Sequence, residues 1–218
     1  MSKTKKIAII LAGSGVYDGS EIHETVMTMY AVMQQGAEYQ LFAPDKKQHH
    51  VINHLTGDEM NEERNILVES ARIARGDIKK LSELNMKDYD ALMMPGGFGV
   101  AKNLSDFAFK GADGSADPTL EKIVKQTVEL KKPIGAICIS PAVIAQILDN
   151  AEVTIGQDPD TAKAIEAMGG RHKKTNHGEV VLDHKYKLAT TPCYMLESNI
   201  LQIAEGAKNI TKAVFDMM

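Results

Sequence analysis

Hydrophobic residues in this chain follow two patterns that alternate along its length. A continuous apolar run, typical of a strand covered on both faces, occupies residues 5–13, and further strands are predicted over residues 37–44, 89–94 and 135–138. Apolar residues at three- and four-residue intervals, which predict helices, occupy residues 21–35, 61–74, 117–132, 139–148 and 196–216. The chain therefore reads as a series of strands, each followed by a helix.

Capping and stop residues define the ends of two of these predicted helices. Gly36 follows the first helix as a C-terminal stop, and Asp117 with Pro118 is a start signal for the helix over 117–132. In the first helix Ile22, Val26, Met29 and Met33 form one apolar stripe. We expect this stripe to pack on the core.

Alternation of strands and helices predicts a parallel sheet, because parallel neighbours need a crossover connection. Residues 178–192 differ, since they contain two β-rich runs about His184 and Lys185 and predict a hairpin at the sheet edge. Residues 45–60 are the longest predicted loop. The sequence thus predicts one α/β domain over residues 1–218, with a doubly wound, mainly parallel sheet and a C-terminal β-hairpin.

The composition and net charge of the chain argue against some classes of function. A formal charge of -4 offers no basic surface for nucleic acid, and no apolar run approaches the ~18 residues that a membrane helix needs. Two cysteines among 218 residues indicate free thiols rather than a disulfide framework. We expect a cytoplasmic protein that binds neither nucleic acid nor membrane.

Cys138 stands where a strand becomes a helix, with Pro141 suited to the first helical turn. In open α/β sheets, ligands bind at the carboxyl ends of strands. A thiol near a helix N-terminus is favoured as thiolate, and small neighbours at Ala136 and Ser140 suit a sharp nucleophile elbow. The alternative is that Cys138 is a small buried core residue.

The first turn, GSGVYDGSEIHETV, contains three acidic residues. Asp18 and Glu21 have capping-box spacing, so a helix start explains both. Glu24 lies one turn further on and can face the same crevice as Cys138. If burial keeps that carboxyl group protonated, it can donate a hydrogen bond to a thiolate; otherwise Glu24 is an exposed residue on a solvated face.

PGGFG follows the third apolar run at residues 95–99. The N–H groups of Gly97 and of Ile139, the residue after the thiol, are candidates for an oxyanion hole, with Gly96 beside them. A plain strand-to-helix turn that needs glycine only for its dihedral angles is the alternative.

The phrases GVYDGSEIHE, FAPDKKQHHVINHLTG, PGGFGVAKNLS, AICISP and TTPCYML lie in order along nearly the whole chain. Together they resemble the PfpI-type branch of the class I glutamine amidotransferase-like superfamily, and within it the enhancing-lycopene-biosynthesis (isoprenoid biosynthesis) proteins. The resemblance implies a flavodoxin-like fold, a homodimer, a nucleophilic Cys138, an acid partner Glu24, and oxyanion donors Gly97 and Ile139.

Some members of this family are similar to a cofactor-independent glyoxalase, a lyase that converts glyoxal to glycolate. The resemblance therefore implies a small aldehyde or α-dicarbonyl substrate, with neither metal nor other cofactor. Two alternatives stay open, namely an amidotransferase or amidase acting with a partner, and a cysteine-based redox or metabolite sensor. Amidotransferases need a histidine followed two residues later by a glutamate, a spacing that His177 and Glu179 have.

The histidines of one loop and the second cysteine are further candidates for a functional role. His49, His50 and His54 cluster in KKQHHVINHL, but no cysteine or carboxylate stands at ligand spacing, so we expect a solvated loop or a crevice wall. Cys193, in TTPCYML, is expected at another strand end, where packing explains it better than chemistry.

Overall fold

The computed structural model describes residues 4–218, which contain nine strands and eight α-helices. The strands are Lys6–Ile10 (β1), Glu38–Ala43 (β2), Ile78–Lys80 (β3), Ala91–Met94 (β4), Ile134–Ile137 (β5), Glu152–Val153 (β6), Arg171–His172 (β7), Val181–Asp183 (β8) and Leu188–Thr191 (β9). The helices are Ile22–Gln34 (α1), Ile66–Ala74 (α2), Phe98–Asn103 (α3), Phe107–Lys110 (α4), Pro118–Glu129 (α5), Ser140–Ala145 (α6), Pro159–Ala167 (α7) and Ile200–Asp216 (α8).

Seven strands form one sheet in the order β3-β2-β1-β4-β5-β9-β8. All neighbours are parallel except β8 and β9, which form the predicted antiparallel hairpin at the sheet edge. Successive residues of β1 and β4 are fully buried although they point to opposite faces, so both faces of the sheet are covered. The predicted doubly wound, flavodoxin-like α/β fold is confirmed.

The strand order places a crevice at the carboxyl end of β1. Strand β1 pairs with β2 on one side and with β4 on the other, so the chain changes direction across the sheet at this point. Loops that leave neighbouring strands in opposite directions leave space between them. The segments after β1, β4 and β5, which hold the predicted site residues, converge on this edge.

Helix starts agree with the sequence only in part. Asp117 caps α5 by accepting the Thr119 N–H at 2.8 Å, as predicted. Helix α2 begins at Ile66 rather than residue 61, because Asn65 caps it and pairs with Lys47 in an isolated bridge. Of the two residues with capping-box spacing, Glu21 caps α1 by accepting the Glu24 N–H at 2.7 Å, as predicted. Asp18 does not cap the helix and instead accepts the Ile52 N–H at 2.7 Å.

Several short elements carry no periodic signal and were not predicted. They are β3, the separate β6–β7 pair, and helices α3, α4 and α7, none longer than nine residues. Only α7 has a recognisable start, because Asp158 and Pro159 repeat the cap and proline of α5. Elements of two to six residues are too short to show a period.

Helix α1 turns the opposite way from its expected orientation. Its buried side consists of Glu24, Thr25, Thr28, Ala31 and Val32. Of the apolar stripe that was expected to pack on the core, only Met29 does so. The other three residues face outward, with 43% of Ile22, 42% of Val26 and 57% of Met33 exposed. The side of α1 that faces the core thus carries polar residues, and most of the predicted apolar stripe lies on the exposed side.

None of the helices in residues 4–218 has the length and apolar character required to cross a membrane.

Candidate active site

Cys138 lies at a sharp turn between β5 and α6. Its backbone has φ 63°, a left-handed value that non-glycine residues rarely adopt and that marks a strained position. The Cys138 N–H donates to the Thr191 carbonyl at 3.0 Å, and the Ser140 hydroxyl donates to the Pro95 carbonyl at 2.8 Å. These bonds fix the turn to β9 and to the loop after β4, so the expected strand-to-helix elbow is present.

Glu24 is completely buried beside the thiol and is not an exposed residue of a solvated face. One carboxyl oxygen, Oε2, accepts the Gly96 N–H at 3.0 Å, and the other, Oε1, accepts the Tyr194 N–H at 3.1 Å. The carboxyl group also hydrogen-bonds with the Cys138 thiol. Helix α1 thus delivers a carboxyl group to the thiol from the inner, polar side of the helix.

Gly96 is required for space, not only for its dihedral angles. A Cβ atom at this position would overlap Cys138 Cβ and lie 2.7 Å from Glu24 Oε2. Gly97 has φ 101° and closes the turn, and the Gly96 carbonyl accepts the Glu21 N–H at 2.9 Å. The two glycines therefore allow the β4 loop to pass between the thiol and the start of α1.

Burial dominates the protonation of Glu24. Removal from water raises the pKa of its carboxyl group to about 8, against the hydrogen bond from the Tyr194 N–H, and the nearby Glu21 carboxylate raises it further. Hydrogen bonds with Cys138 and the Gly96 N–H lower it. Glu24 is therefore mainly protonated at neutral pH.

Burial also raises the pKa of the Cys138 thiol well above its ordinary value, and a negative charge on Glu24 raises it further. A hydrogen bond from the Gly97 N–H opposes this by favouring thiolate. The expectation that a helix N-terminus lowers this pKa is wrong in direction, because α6 has only six residues and the thiol is 6% exposed. Cys138 and Glu24 titrate as a pair.

A cavity of about 290 Å³ opens over the thiol. It is lined by Val16, Gly97, Phe98, Cys138, Ile139, Asp158, Thr161, Tyr194 and Met195. Ile139 and Gly97 thus lie at the same cavity as the sulphur, where their N–H groups were predicted. Asp158 caps α7 by accepting the Thr161 N–H at 2.7 Å, which brings that helix to the cavity rim.

Tyr194 belongs to this site and was missed. Its N–H binds Glu24, its side chain lines the cavity, and its hydroxyl hydrogen-bonds to His23 Nδ1 at 2.8 Å. The strand-end position of TTPCYML was its one sequence signal. His23, which precedes Glu24 in α1, thereby contacts the cavity wall through Tyr194.

His177 and Glu179 do not line the cavity over Cys138. His177 Nδ1 hydrogen-bonds with the Ser198 hydroxyl at 3.1 Å, and Glu179 accepts the Asn176 N–H at 2.6 Å. Both side chains are engaged in holding the turn before β8. The structure therefore does not bring together the histidine and glutamate that an amidotransferase would need beside its cysteine.

Cys193 is buried after β9, and its sulphur packs against Gly206 of α8. Burial raises the pKa of this thiol well above its ordinary value, with smaller effects from Glu24 and Glu21 in the same direction. Both cysteines are free thiols. Across residues 4–218, no cluster of three His, Cys, Asp or Glu side chains is arranged to hold a metal ion.

The sequence of the chain is similar to those of known proteins. The profile of the DJ-1/PfpI family matches residues 5–197. The chain is 40% identical over 222 residues to the ES1 protein homolog, mitochondrial, of Rattus norvegicus, covering 97% of this chain and 84% of the rat protein. It is 41% identical to the glutamine amidotransferase-like class 1 domain-containing protein 3, mitochondrial, of Homo sapiens, covering 97% and 83%.

Solved structures share the fold. An isoprenoid biosynthesis protein with an amidotransferase-like domain from Ehrlichia chaffeensis superposes with a TM-score of 0.91 at 35% identity, covering 98% of this chain and all of that one. Glyoxalase III from Candida albicans superposes with a TM-score of 0.61 at 16% identity, covering 96% and 97%. At that identity the second comparison shows the fold alone.

The expected cytoplasmic location is contradicted by these relatives. Both the rat and the human protein are named as mitochondrial. Free thiols indicate a reducing compartment and do not distinguish one such compartment from another, which is why the inference from cysteine content was wrong.

Proposed function

The chain belongs to the DJ-1/PfpI family, and from that premise we propose that it is a cysteine-dependent glyoxalase that converts glyoxal into glycolate. The buried pair of Cys138 and Glu24 beneath a small cavity carries this proposal. A cavity of about 290 Å³ accommodates a small aldehyde or α-dicarbonyl close to the sulphur. Glyoxalase III of Candida albicans provides an example of the activity on the same fold.

The proposed reaction begins when Cys138 passes its thiol proton to the Glu24 carboxylate and the resulting thiolate adds to one carbonyl carbon of glyoxal. A carbon–sulphur bond forms, and the N–H groups of Gly97 and Ile139 stabilise the oxygen that gains charge. Protonation of that oxygen gives a hemithioacetal. Glu24 is placed to supply and remove protons because its carboxyl group already hydrogen-bonds with the sulphur.

Hydrogen then moves from the carbon bound to sulphur to the neighbouring carbonyl carbon, with Glu24 as base and then as acid. The first carbon is oxidised to a thioester while the second is reduced to an alcohol. Water cleaves the thioester, releases glycolate and returns the thiol. The sequence of steps is redox-neutral, so it consumes no external oxidant or reductant.

The two rival functions are distinguished from the proposal at the thiol. An amidotransferase would need a histidine beside Cys138, whereas His177 is hydrogen-bonded to Ser198 and lies outside the cavity lining. A redox sensor would oxidise at Cys138 without converting glyoxal to glycolate, so measurement of glycolate separates it from the enzyme.

Purified protein supplied with glyoxal, without metal or glutathione, is expected to form one glycolate for each glyoxal consumed. Proton NMR of the reaction mixture measures both compounds directly. Parallel incubation with glutamine is expected to release no ammonia. Glyoxal loss without glycolate, or ammonia release that depends on Cys138, would contradict the proposal in favour of simple adduct formation or amidase activity.

We further infer that two copies associate through the outward face of α1. Of the eleven large apolar side chains that are exposed, six lie on α1 or the start of α8, and these two helices pack together. They are Ile22, Val26, Tyr30, Met33, Ile200 and Leu201. Helix α1 contains no lysine or arginine, and Glu24, its one carboxylate, is buried, so like-charge repulsion does not oppose self-association.

The exposed apolar area of this face supports the inferred dimer. These six side chains offer on the order of 600 Å², close to the ~800 Å² that each partner buries in a standard interface. The resemblance of the chain to dimeric proteins led to the same expectation from sequence. A second copy is the occupant that supplies an equally apolar and uncharged surface.

Sedimentation equilibrium tests the dimer. The wild-type chain is expected at twice its 23.8 kDa mass, and the double substitution Tyr30→Glu with Met33→Glu at the single-chain mass. Each copy would bring two carboxylates into the interface, and each buried carboxylate would cost several kcal/mol. Val68→Glu, at an apolar position that is 61% exposed on α2, is the matched control and should remain a dimer. A double variant that remains dimeric would overturn the assignment of this face.

A further inference from the structure

A second and larger cavity lies beside the one over Cys138. Its volume is about 550 Å³, and it shares Phe98, Ile139 and Thr161 with the smaller cavity. The two are therefore adjoining parts of one cleft. We call the larger part the aromatic groove; the residues that define it are Tyr17, Phe98, Lys102, Phe107, Phe109 and Ile139.

Aromatic side chains are concentrated in this groove. Three of the five phenylalanines in the chain line it, although only one of the five, Phe42, is fully buried. Phe98 is 50% exposed, Phe109 46% and Tyr17 42%. Exposed aromatic rings grouped around one concave surface mark a binding site more often than a defect of folding.

Lys102 supplies one positive charge in the groove wall. Its Nζ donates to the Tyr17 carbonyl at 2.9 Å and lies 5.6 Å from the centre of the Phe98 ring. No carboxylate forms an ion pair with Lys102 anywhere in the described residues, and Asp18 and Glu59 act on it only from a distance. Two ammonium hydrogens are left to bind an anion.

Two histidines of the predicted loop pack against Phe109, which lines the groove. The His49 ring lies 4.2 Å from that of Phe109, centre to centre, and His50 lies 5.7 Å from it. These contacts set the position of Phe109 within α4. The loop itself reaches the groove through Ile52 and Gly57, and its histidines support the wall without lining it.

We propose that the aromatic groove binds the remote part of the substrate, a planar apolar body that ends in an anionic group held by Lys102. This inference rests on the proposed function, because it places the substrate's dicarbonyl end over Cys138. It names the class of substrate as aryl-substituted 2-oxoaldehydes with a carboxylate or similar anion. Glyoxal fills only the smaller cavity and leaves the groove without a ligand.

Combined volume supports a substrate of this size. Taken together, the cavities of about 290 Å³ and about 550 Å³ fall in the range of roughly 300–1,000 Å³ that accommodates ligands the size of a drug molecule. Remote contacts with a larger substrate would hold its reacting carbon close to the thiol and so raise kcat/KM above the value for glyoxal.

Binding can be measured apart from turnover in Cys138→Ser protein. The probe is 4-acetylbenzoate, an aromatic ketone with a carboxylate, and its neutral counterpart is methyl 4-acetylbenzoate; titration calorimetry gives each Kd. Lys102→Met is expected to weaken binding of the acid about tenfold and of the ester less than about twofold. Phe109→Ala is expected to weaken both, because it removes the apolar surface.

Lys125→Met is the matched control, since Lys125 is an exposed lysine of α5 that pairs with Glu121 away from the groove. It should leave both Kd values unchanged. Acid and ester that bind equally well, or acid binding that is insensitive to Lys102→Met, would overturn the anion site. Failure of both probes to bind would overturn the groove as a whole.

Turnover separates this inference from the proposed function. Wild-type protein is expected to convert 4-carboxyphenylglyoxal with a kcat/KM at least about tenfold above that for glyoxal. Probe binding without turnover of either aldehyde would reject the glyoxalase and keep the groove. Turnover of glyoxal without probe binding would reject the groove and keep the glyoxalase.

Discussion

Cys138→Ser is expected to lower glyoxal turnover by at least about 10³-fold, because a serine hydroxyl has no adjacent base strong enough to activate it. The Glu24 carboxylate can accept the proton of a thiol, but it is too weak a base to remove the far less acidic alcohol proton. The backbone of the elbow and the cavity are unchanged by this substitution. Initial rates of glycolate formation measure the loss.

Cys193→Ala provides the control for this prediction. Cys193 is also a buried free thiol, but its sulphur packs against Gly206 and it does not line the cavity. Its replacement should leave the rate within about threefold of wild type, since it removes packing rather than chemistry. Comparable losses in the two variants would show that the effect of Cys138→Ser comes from damaged packing and would refute the nucleophile assignment.

Glu24→Gln is expected to change how stability depends on pH. In the folded chain the Glu24 pKa is about 8, whereas an exposed glutamate titrates near 4.5. Between these values the folded state keeps a proton that the unfolded state has lost, so stability decreases as pH rises. The decrease is about 1.4 kcal/mol for each pH unit, which amounts to a loss on the order of 3 kcal/mol between pH 5 and 7.5.

Glutamine has no proton to lose and removes this slope. It also cannot accept both the Gly96 and the Tyr194 N–H, which costs about 1–3 kcal/mol at every pH. The variant should therefore have a lower free energy of unfolding than wild type at pH 5. This difference should become smaller as pH rises. Urea unfolding at several pH values measures the difference, and a difference that is constant from pH 5 to 8 would show that the Glu24 pKa is not raised.

Much of the fold follows from the hydrophobic pattern. The runs that became β1, β4 and β5 are long enough to show continuous apolarity, and the hairpin of β8 and β9 has two β-rich halves about a polar centre. The orientation of α1 could not be predicted in the same way. Its apolar stripe has the spacing of a core face, and only tertiary contacts show that Glu24 and Thr28 point inward.

The sequence could predict which residues of the candidate site lie at strand ends, but not the contacts that they make. Strand ends placed Cys138, Gly97 and Ile139 at one edge of the sheet, and family resemblance supplied Glu24. Tyr194 was missed because its contribution is a backbone N–H, which every residue but proline has. The raised pKa of the thiol was also missed, since burial is a property of the assembled fold and a helix start in the sequence gives no measure of it.

The pH dependence of glyoxal turnover tests the Cys138–Glu24 pair most directly. Glu24, with a pKa of about 8, loses its proton before Cys138, whose thiol pKa is raised well above its ordinary value. The resulting carboxylate can take the thiol proton as the sulphur adds to glyoxal, and loss of the second proton leaves the pair without an acid. The rate is therefore predicted to rise with pH through about 8 and to fall again at higher pH, and the residual rate of Glu24→Gln should lack the rise. A wild-type rate that is constant from pH 6 to 9 would contradict a buried pair that shares its protons.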